Sequence, residues 1–235
     1  MKRQLFTICL IFFITPFYVY SQRGSDIILG GKPVEEILFY EYPADNKIKA
    51  YYKDTLDAKN SCPEELMKSI LSCISPKWND YNTWGGSLNS TVYSESHYSR
   101  IKAMDKEKNY MQLIYRIDYQ EDSIPFSIIK YYLHTENSDK VMVGVTIMKK
   151  VGGRWYTTIF FNAFNTSIML VRINSDILKQ LFLNSVINTS IKDFFKDVYT
   201  SDKKIDLAKL SDRFNELYQP QNSELKNQIV DSNAW

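Results

Sequence analysis

Between Tyr110 and Phe161 apolar residues recur at every second position, and this alternation limits the possible folds more than any other feature of the chain. Successive side chains of a strand point to opposite faces, so a sustained period of two calls for a sheet with a buried side. Four strands are expected. Met111, Leu113, Tyr115 and Ile117 mark the first, Ser127, Ile129, Tyr131 and Leu133 the second, and Val141, Val143, Val145 and Ile147 the third. Gly152-Gly153 then offers the positive φ angles of a tight turn into a fourth strand with Trp155, Thr157, Ile159 and Phe161. Short connections make these strands antiparallel neighbours. Gly144, inside the third, is expected to mark a bulge or a bend that curves the sheet.

Elsewhere the period is helical. Ser61 followed by Pro63 and Glu64 has the form of a capping box, and Leu66, Met67, Ile70, Leu71 and Ile74 continue at helical spacing until Pro76, which predicts a helix over about 62–75. On that helix Cys62 and Cys73 would stand roughly 16 Å apart, beyond the reach of a disulfide, so two free thiols are expected. The Trp78, Tyr81, Trp84, Gly85, Gly86 stretch reads as a cover over the edge of the core. Ile168 to Ile173 fits either a fifth strand or the start of a helix. Three amphipathic helices are then indicated by Ile177 to Phe182, Ile187 to Val198 and Leu207 to Leu217. After Pro220 the polar chain reads as a frayed tail ending at Trp235.

The N-terminus reads as an export signal: Lys2 and Arg3, an apolar run from Leu5 to Tyr20, and Val19 and Ser21 at the −3 and −1 positions before Gln22. The run is shorter than the ~20 residues of a spanning helix and is broken by Pro16, so cleavage is expected, with no membrane span left. Cys9 lies inside the run, which does not suit a lipoprotein. The site of action is then periplasmic or extracellular, and Gln22 after the cut together with few cysteines points to a bacterial source. Removing Lys2 and Arg3 leaves 27 basic side chains against 27 acidic ones. That balance removes the long-range attraction a phosphate backbone requires, so nucleic acid is not an expected partner. The organisation is therefore a signal over 1–21, an extended segment over 22–58, a helix plus antiparallel meander over 59–163, a helical part of the same domain over 164–218, and a flexible tail over 219–235. The class is α+β, a curved antiparallel sheet of at least four strands packed by an N-terminal helix and C-terminal helices.

A helix, an aromatic linker and a meander closing on Lys149-Lys150-Val151-Gly152-Gly153-Arg154-Trp155-Tyr156 resemble the cystatin-like cone fold of the nuclear transport factor superfamily over residues 60–163. The resemblance implies a sheet wrapped around helices with a pocket in its concavity. Members include enzymes, binders and interaction modules, so the fold does not choose the function.

Catalysis in such a cone calls for an ionisable group held in the pocket. His134 ends a strand near Glu136 and is the one histidine considered for acid/base work. His97, within Ser94-Glu95-Ser96-His97-Tyr98, reads as part of a polar loop or strand edge, because a Ser/His/acid triad is defined by geometry and not by adjacency. The turn with Asp118, Glu121 and Asp122 reads as solvated, and no HExxH, paired CxxC or calcium-loop spacing suggests a metal. Gly30-Gly31-Lys32-Pro33 lacks the spacing of a phosphate loop, and no cofactor is expected. Asn89, Asn165 and Asn188 head glycosylation sequons, while Asp54-Thr55-Leu56 and Asp122-Ser123-Ile124 resemble bacterial O-glycosylation triplets. The aromatic residues suggest a ligand site at Tyr115, Tyr131, Tyr132, His134 and Trp155. The leading expectation is an exported, non-enzymatic domain that binds a small apolar ligand, a glycan or a protein in the concavity of its sheet. The alternatives are an enzyme using a buried carboxylate or His134, and an envelope assembly component docking through its C-terminal helices.

Overall fold

Two pairs of adjacent residues with positive φ, Asp122 with Ser123 and Gly152 with Gly153, turn the chain back on itself and set the long hairpins. The computed structural model describes residues 19–22, 27–29, 32–33, 37–85, 95–136, 138–158, 164–183, 185–201 and 205–233. Its strands are β1 (Val19–Gln22), β2 (Ile27–Leu29), β3 (Lys32–Pro33), β4 (Ile37–Glu41), β5 (Lys47–Lys49), β6 (Tyr110–Glu121), β7 (Ile124–Thr135), β8 (Ser138–Val151), β9 (Arg154–Thr157) and β10 (Ile205–Asp206). The helices are α1 (Pro63–Leu71), α2 (Pro76–Asn82), α3 (Glu95–Ala103), α4 (Phe164–Arg172), α5 (Ser175–Phe182), α6 (Thr189–Phe194), α7 (Leu207–Glu216) and α8 (Ser223–Ile229). Ile159, Phe161, the Gly30-Gly31 turn, Gly86, Asn89, Ser94, Trp235 and the leader up to residue 18 lie outside the described residues.

The class is α+β, as the alternation requires. The main sheet runs β1-β4-β6-β7-β8-β9, with β5 also pairing β6, and every one of these pairings is antiparallel. Strands β4 and β5 share the same edge of β6, the first along Tyr115 to Tyr119 and the second along Tyr110 to Gln112. A small second sheet joins β10 to β2 in parallel and β2 to β3 antiparallel. Strand β1 spans the expected cut between Ser21 and Gln22 and pairs with β4.

A one-residue slip decides which side chains meet. The register of β6 against β7 shifts between Leu113 and Tyr115, and an extra residue in one strand sends every later side chain to the opposite face. Met111 and Leu113 therefore pack with Leu66 and Met67 of α1, together with Ile129, Met148 and Trp155. Tyr115, Ile117 and Tyr119 instead join the larger core beneath α4, α5 and α7. The uniform face expected for Met111 to Ile117 is thus divided between two cores. Gly144 shows no such slip. A Cβ there would come within 2.4 Å of Tyr131 Cζ, so glycine is required because the tyrosine ring lies across it.

The helices follow their caps. Pro63 occupies the first turn of α1, but it is Glu65, not Glu64, that reaches back to the Ser61 amide (2.7 Å) and hydroxyl (2.8 Å). Helix α1 stops at Leu71, and the chain restarts at once because Ser75 caps α2 with Pro76 in its first turn. The aromatic stretch after Cys73 is thus a helix, with Trp78 buried in a third small core beside Ala58, Cys73 and Tyr98. Both described cysteines are free thiols. Ile168 to Ile173 resolves as helix α4 and its end. Asn174, Asn188 and Asp206 cap α5, α6 and α7. Where the polar C-terminus suggests a frayed tail, the chain forms α8 and buries Ile229, Val230 and Asp231.

Candidate functional site

The five aromatic and imidazole candidates do not converge. Tyr115 is fully buried in the larger core, and its hydroxyl donates to the Leu170 carbonyl at 3.3 Å. Trp155 and Tyr131 belong to the α1 side of the sheet, Tyr132 to the opposite side. His134 stacks on Tyr110 (4.5 Å between centroids) with its Nε2 3.3 Å from Gln112 Oε1. Burial, helped by the Lys47 charge, lowers its proton affinity. Glu136 does not join it, since that carboxylate accepts from the Asp105 amide and lies 4.0 Å from Lys108. His97 sits on α3, not in a loop, 3.4 Å from Arg100, and burial with this cation holds it neutral more firmly than usual.

Two ionic groups, one half-buried and one buried, carry no signal in the sequence. On β6, Arg116 pairs with Glu64 of α1 and, at 3.0 Å, with Asp118, while Tyr42 donates to Glu64 at 2.5 Å and the guanidinium lies 4.2 Å from the Tyr40 ring centroid. Burial works to raise the Glu64 carboxyl, yet Tyr42 and Arg116 outweigh it and hold it below the usual range. For Asp118 burial prevails over Arg116, and its carboxyl stands above that range. The aspartate read as solvated is therefore part of a half-buried network. Divergent carboxyls can mark an acid and a base. These two do not flank a common space: Glu64 opens on a groove with Lys47, Tyr51 and Lys68, and Asp118 on another with Leu38, Pro125 and Trp155.

The second group is Lys130, whose side chain is 0% exposed. Its ammonium lies 2.8 Å from Asp231 and donates to the Ile173 carbonyl at 2.7 Å, while Tyr132 donates to the same carboxylate at 2.8 Å. Burial lowers the lysine's proton affinity against the pull of Asp231. The ion pair ties the last described residues to the sheet.

An apolar cleft lies elsewhere. A cleft of about 280 Å3 is bounded by Ala50, Tyr52 and Lys53 after β5, by Leu71, Ser72 and Ile74 at the end of α1, and by Ile101, Lys102 and Met104 at the end of α3, with Lys106 and Asn109 completing it. Its polar groups are tied into the chain. The Ser72 hydroxyl donates to the Lys68 carbonyl (2.8 Å) and accepts from the Tyr52 amide (3.3 Å), and Asn109 donates to the Asp105 carbonyl at 2.6 Å. What remains is an apolar wall with three lysines at the mouth. Nothing in the sequence joins these segments, because Leu71 and Ile74 read simply as the apolar stripe of a helix. Nearby Cys73 is buried, which pushes its thiol up to about 11 and disfavours the thiolate.

No protein-family model, no curated protein and no solved structure matches this chain. Among the described residues no group of three or more His, Cys, Asp or Glu could hold a metal ion, and no helix is long and apolar enough to cross a membrane.

Proposed function

We propose that this chain is an exported binding domain whose ligand is a small, mainly apolar molecule seated between α1, α3 and the segment after β5, and not in the concavity of the sheet. The observation that carries this reading is the cleft of about 280 Å3 with its wall of Ala50, Tyr52, Leu71, Ile74, Ile101 and Met104. A dry cavity of about 150 Å3 lined by aliphatic side chains accepts benzene, so roughly twice that volume suits a single short alkyl chain or a bicyclic ring. Both faces of the sheet carry side-chain cores, whereas this cleft offers an apolar wall to a ligand. Catalysis has less support. His134 meets a glutamine and a tyrosine, and Glu64 and Asp118 open on separate grooves.

The test is calorimetric titration with eight-carbon alkyl probes. Saturable one-to-one binding is expected, and Ala50→Trp, which fills the cleft from a surface segment, should abolish it while leaving the unfolding midpoint within about 2 °C. Binding that survives this change, or an absence of saturable binding in the unaltered protein, defeats the reading. Export rests on the leader, and protein recovered from outside the cytosol should begin at Gln22.

A further inference from the structure

We infer that the ligand of this cleft is a free, single-chain anionic amphiphile, held with its alkyl chain inward and its acidic headgroup among Lys53, Lys102 and Lys106. The inference rests on the cleft reading above and adds the chemistry of the headgroup.

The argument is the distribution of charge around the mouth. Three of the residues that bound the cleft are lysines and none is acidic. Carboxylates do stand in the neighbouring loop, but other partners engage them. Glu107 pairs with Lys49 and accepts from the Tyr51 hydroxyl at 2.7 Å. Asp105 lies 3.8 Å from Lys108 and accepts the Glu107 amide at 2.9 Å, and Glu136 lies 4.0 Å from Lys108. On the other side Asp57 accepts the Lys53 amide at 3.1 Å and Asp54 the Leu56 amide at 2.8 Å. Among the described residues no carboxylate pairs with the ammonium of Lys53, Lys102 or Lys106. A cleft with one sign at its rim and apolar walls focuses that field on whatever enters. A neutral apolar ligand would make no use of it, and a cation would be repelled. An anion bearing an alkyl chain meets both parts of the site.

Octanoate, octan-1-ol and octyltrimethylammonium share a chain length and differ in headgroup, so they separate the two claims. At low salt octanoate should bind at least about fivefold more tightly than octan-1-ol, because each exposed ammonium adds a modest, screened attraction. The preference should shrink toward unity at ~0.5 M salt, where the screening length falls to a few ångströms. Lys102→Glu with Lys106→Glu should remove the preference for octanoate over octan-1-ol. Equal affinity for octanoate and octan-1-ol, or tighter binding of the ammonium probe, overturns the inference while the cleft reading stands. If none of the three binds, both fail. Sedimentation with phosphatidylglycerol vesicles distinguishes a free amphiphile from a lipid surface: no co-sedimentation is expected, and vesicle binding that persists in Ala50→Trp overturns the free-ligand assignment. Should Ala50→Trp fail to fold, Ile101→Trp fills the same space from α3.

Discussion

Replacing Asp231 with Asn tests whether the chain terminus is clamped to the sheet by charge. In the folded protein the Lys130 side chain is 0% and the Asp231 side chain 5% exposed, and the ammonium has two oxygen partners, the Asp231 carboxylate and the Ile173 carbonyl. Asp231→Asn keeps the shape but leaves a buried cation without its counter-charge, which costs about 3–5 kcal/mol. For a chain of this size each kcal/mol lowers the midpoint by roughly 2–4 °C, so a loss of roughly 6–20 °C is expected. The double change Lys130→Met with Asp231→Leu removes both charges. It should recover part of the loss, falling short by ~1 kcal/mol for each group left without its partner, which are the Tyr132 hydroxyl, the Asn233 amide and the Ile173 carbonyl. Urea unfolding followed by circular dichroism measures both variants against the unaltered chain. If Asp231→Asn costs less than about 1 kcal/mol, or the double variant is no better than the single, then the ion pair does not hold the terminus and the reasoning fails.

The same pair predicts a pH dependence. Although burial works to raise the Asp231 carboxyl, Lys130 and Tyr132 hold it below its ordinary value, so its contribution is complete above the unfolded value near ~4 and is lost as pH falls through the folded one. The stability gap between the unaltered chain and Asp231→Asn should therefore narrow on going from pH 7 to pH 3. Glu64→Ala leaves Arg116 with Asp118 alone and strands the Tyr42 hydroxyl, for an expected cost of about 1.5–3 kcal/mol in urea unfolding. Gly144→Ala should cost about 1–3 kcal/mol because its Cβ meets the Tyr131 ring, and most of that penalty should vanish in a Tyr131→Ala background. Cys73 should react with a thiol reagent far more slowly than a free cysteine at pH 8, since its thiol is pushed up to about 11.

Local sequence accounts for a good part of the architecture. The alternation at Val141, Val143, Val145 and Ile147, the paired glycines at 152 and 153, and the spacing of Leu207, Leu210 and Phe214 each report a period that the backbone geometry enforces. The C-terminal helix was not legible in the same way. Residues after Pro220 are mostly polar, and the apolar anchors that hold them, Ile229 and Val230, are too few to show a period. Asp118 reads as solvated because acidic turn residues follow it, whereas its strand neighbour Arg116 holds it in a network completed by Glu64 from a distant helix. The cleft was out of reach for a related reason. Its lysines and apolar wall come from three segments, none of which carries a motif.

What the sequence determined by itself is the α+β class, the antiparallel hairpins and the free cysteines. All depend on period, turn chemistry or composition, and these are properties of neighbours along the chain. The tertiary structure alone decided the slip at Leu113 that divides the sheet's residues between two cores, the Lys130–Asp231 pair, and the gathering of Lys53, Lys102 and Lys106 around one apolar cleft. Such features depend on which distant segments meet. A single-residue shift of register, invisible in local pattern, is enough to change the answer.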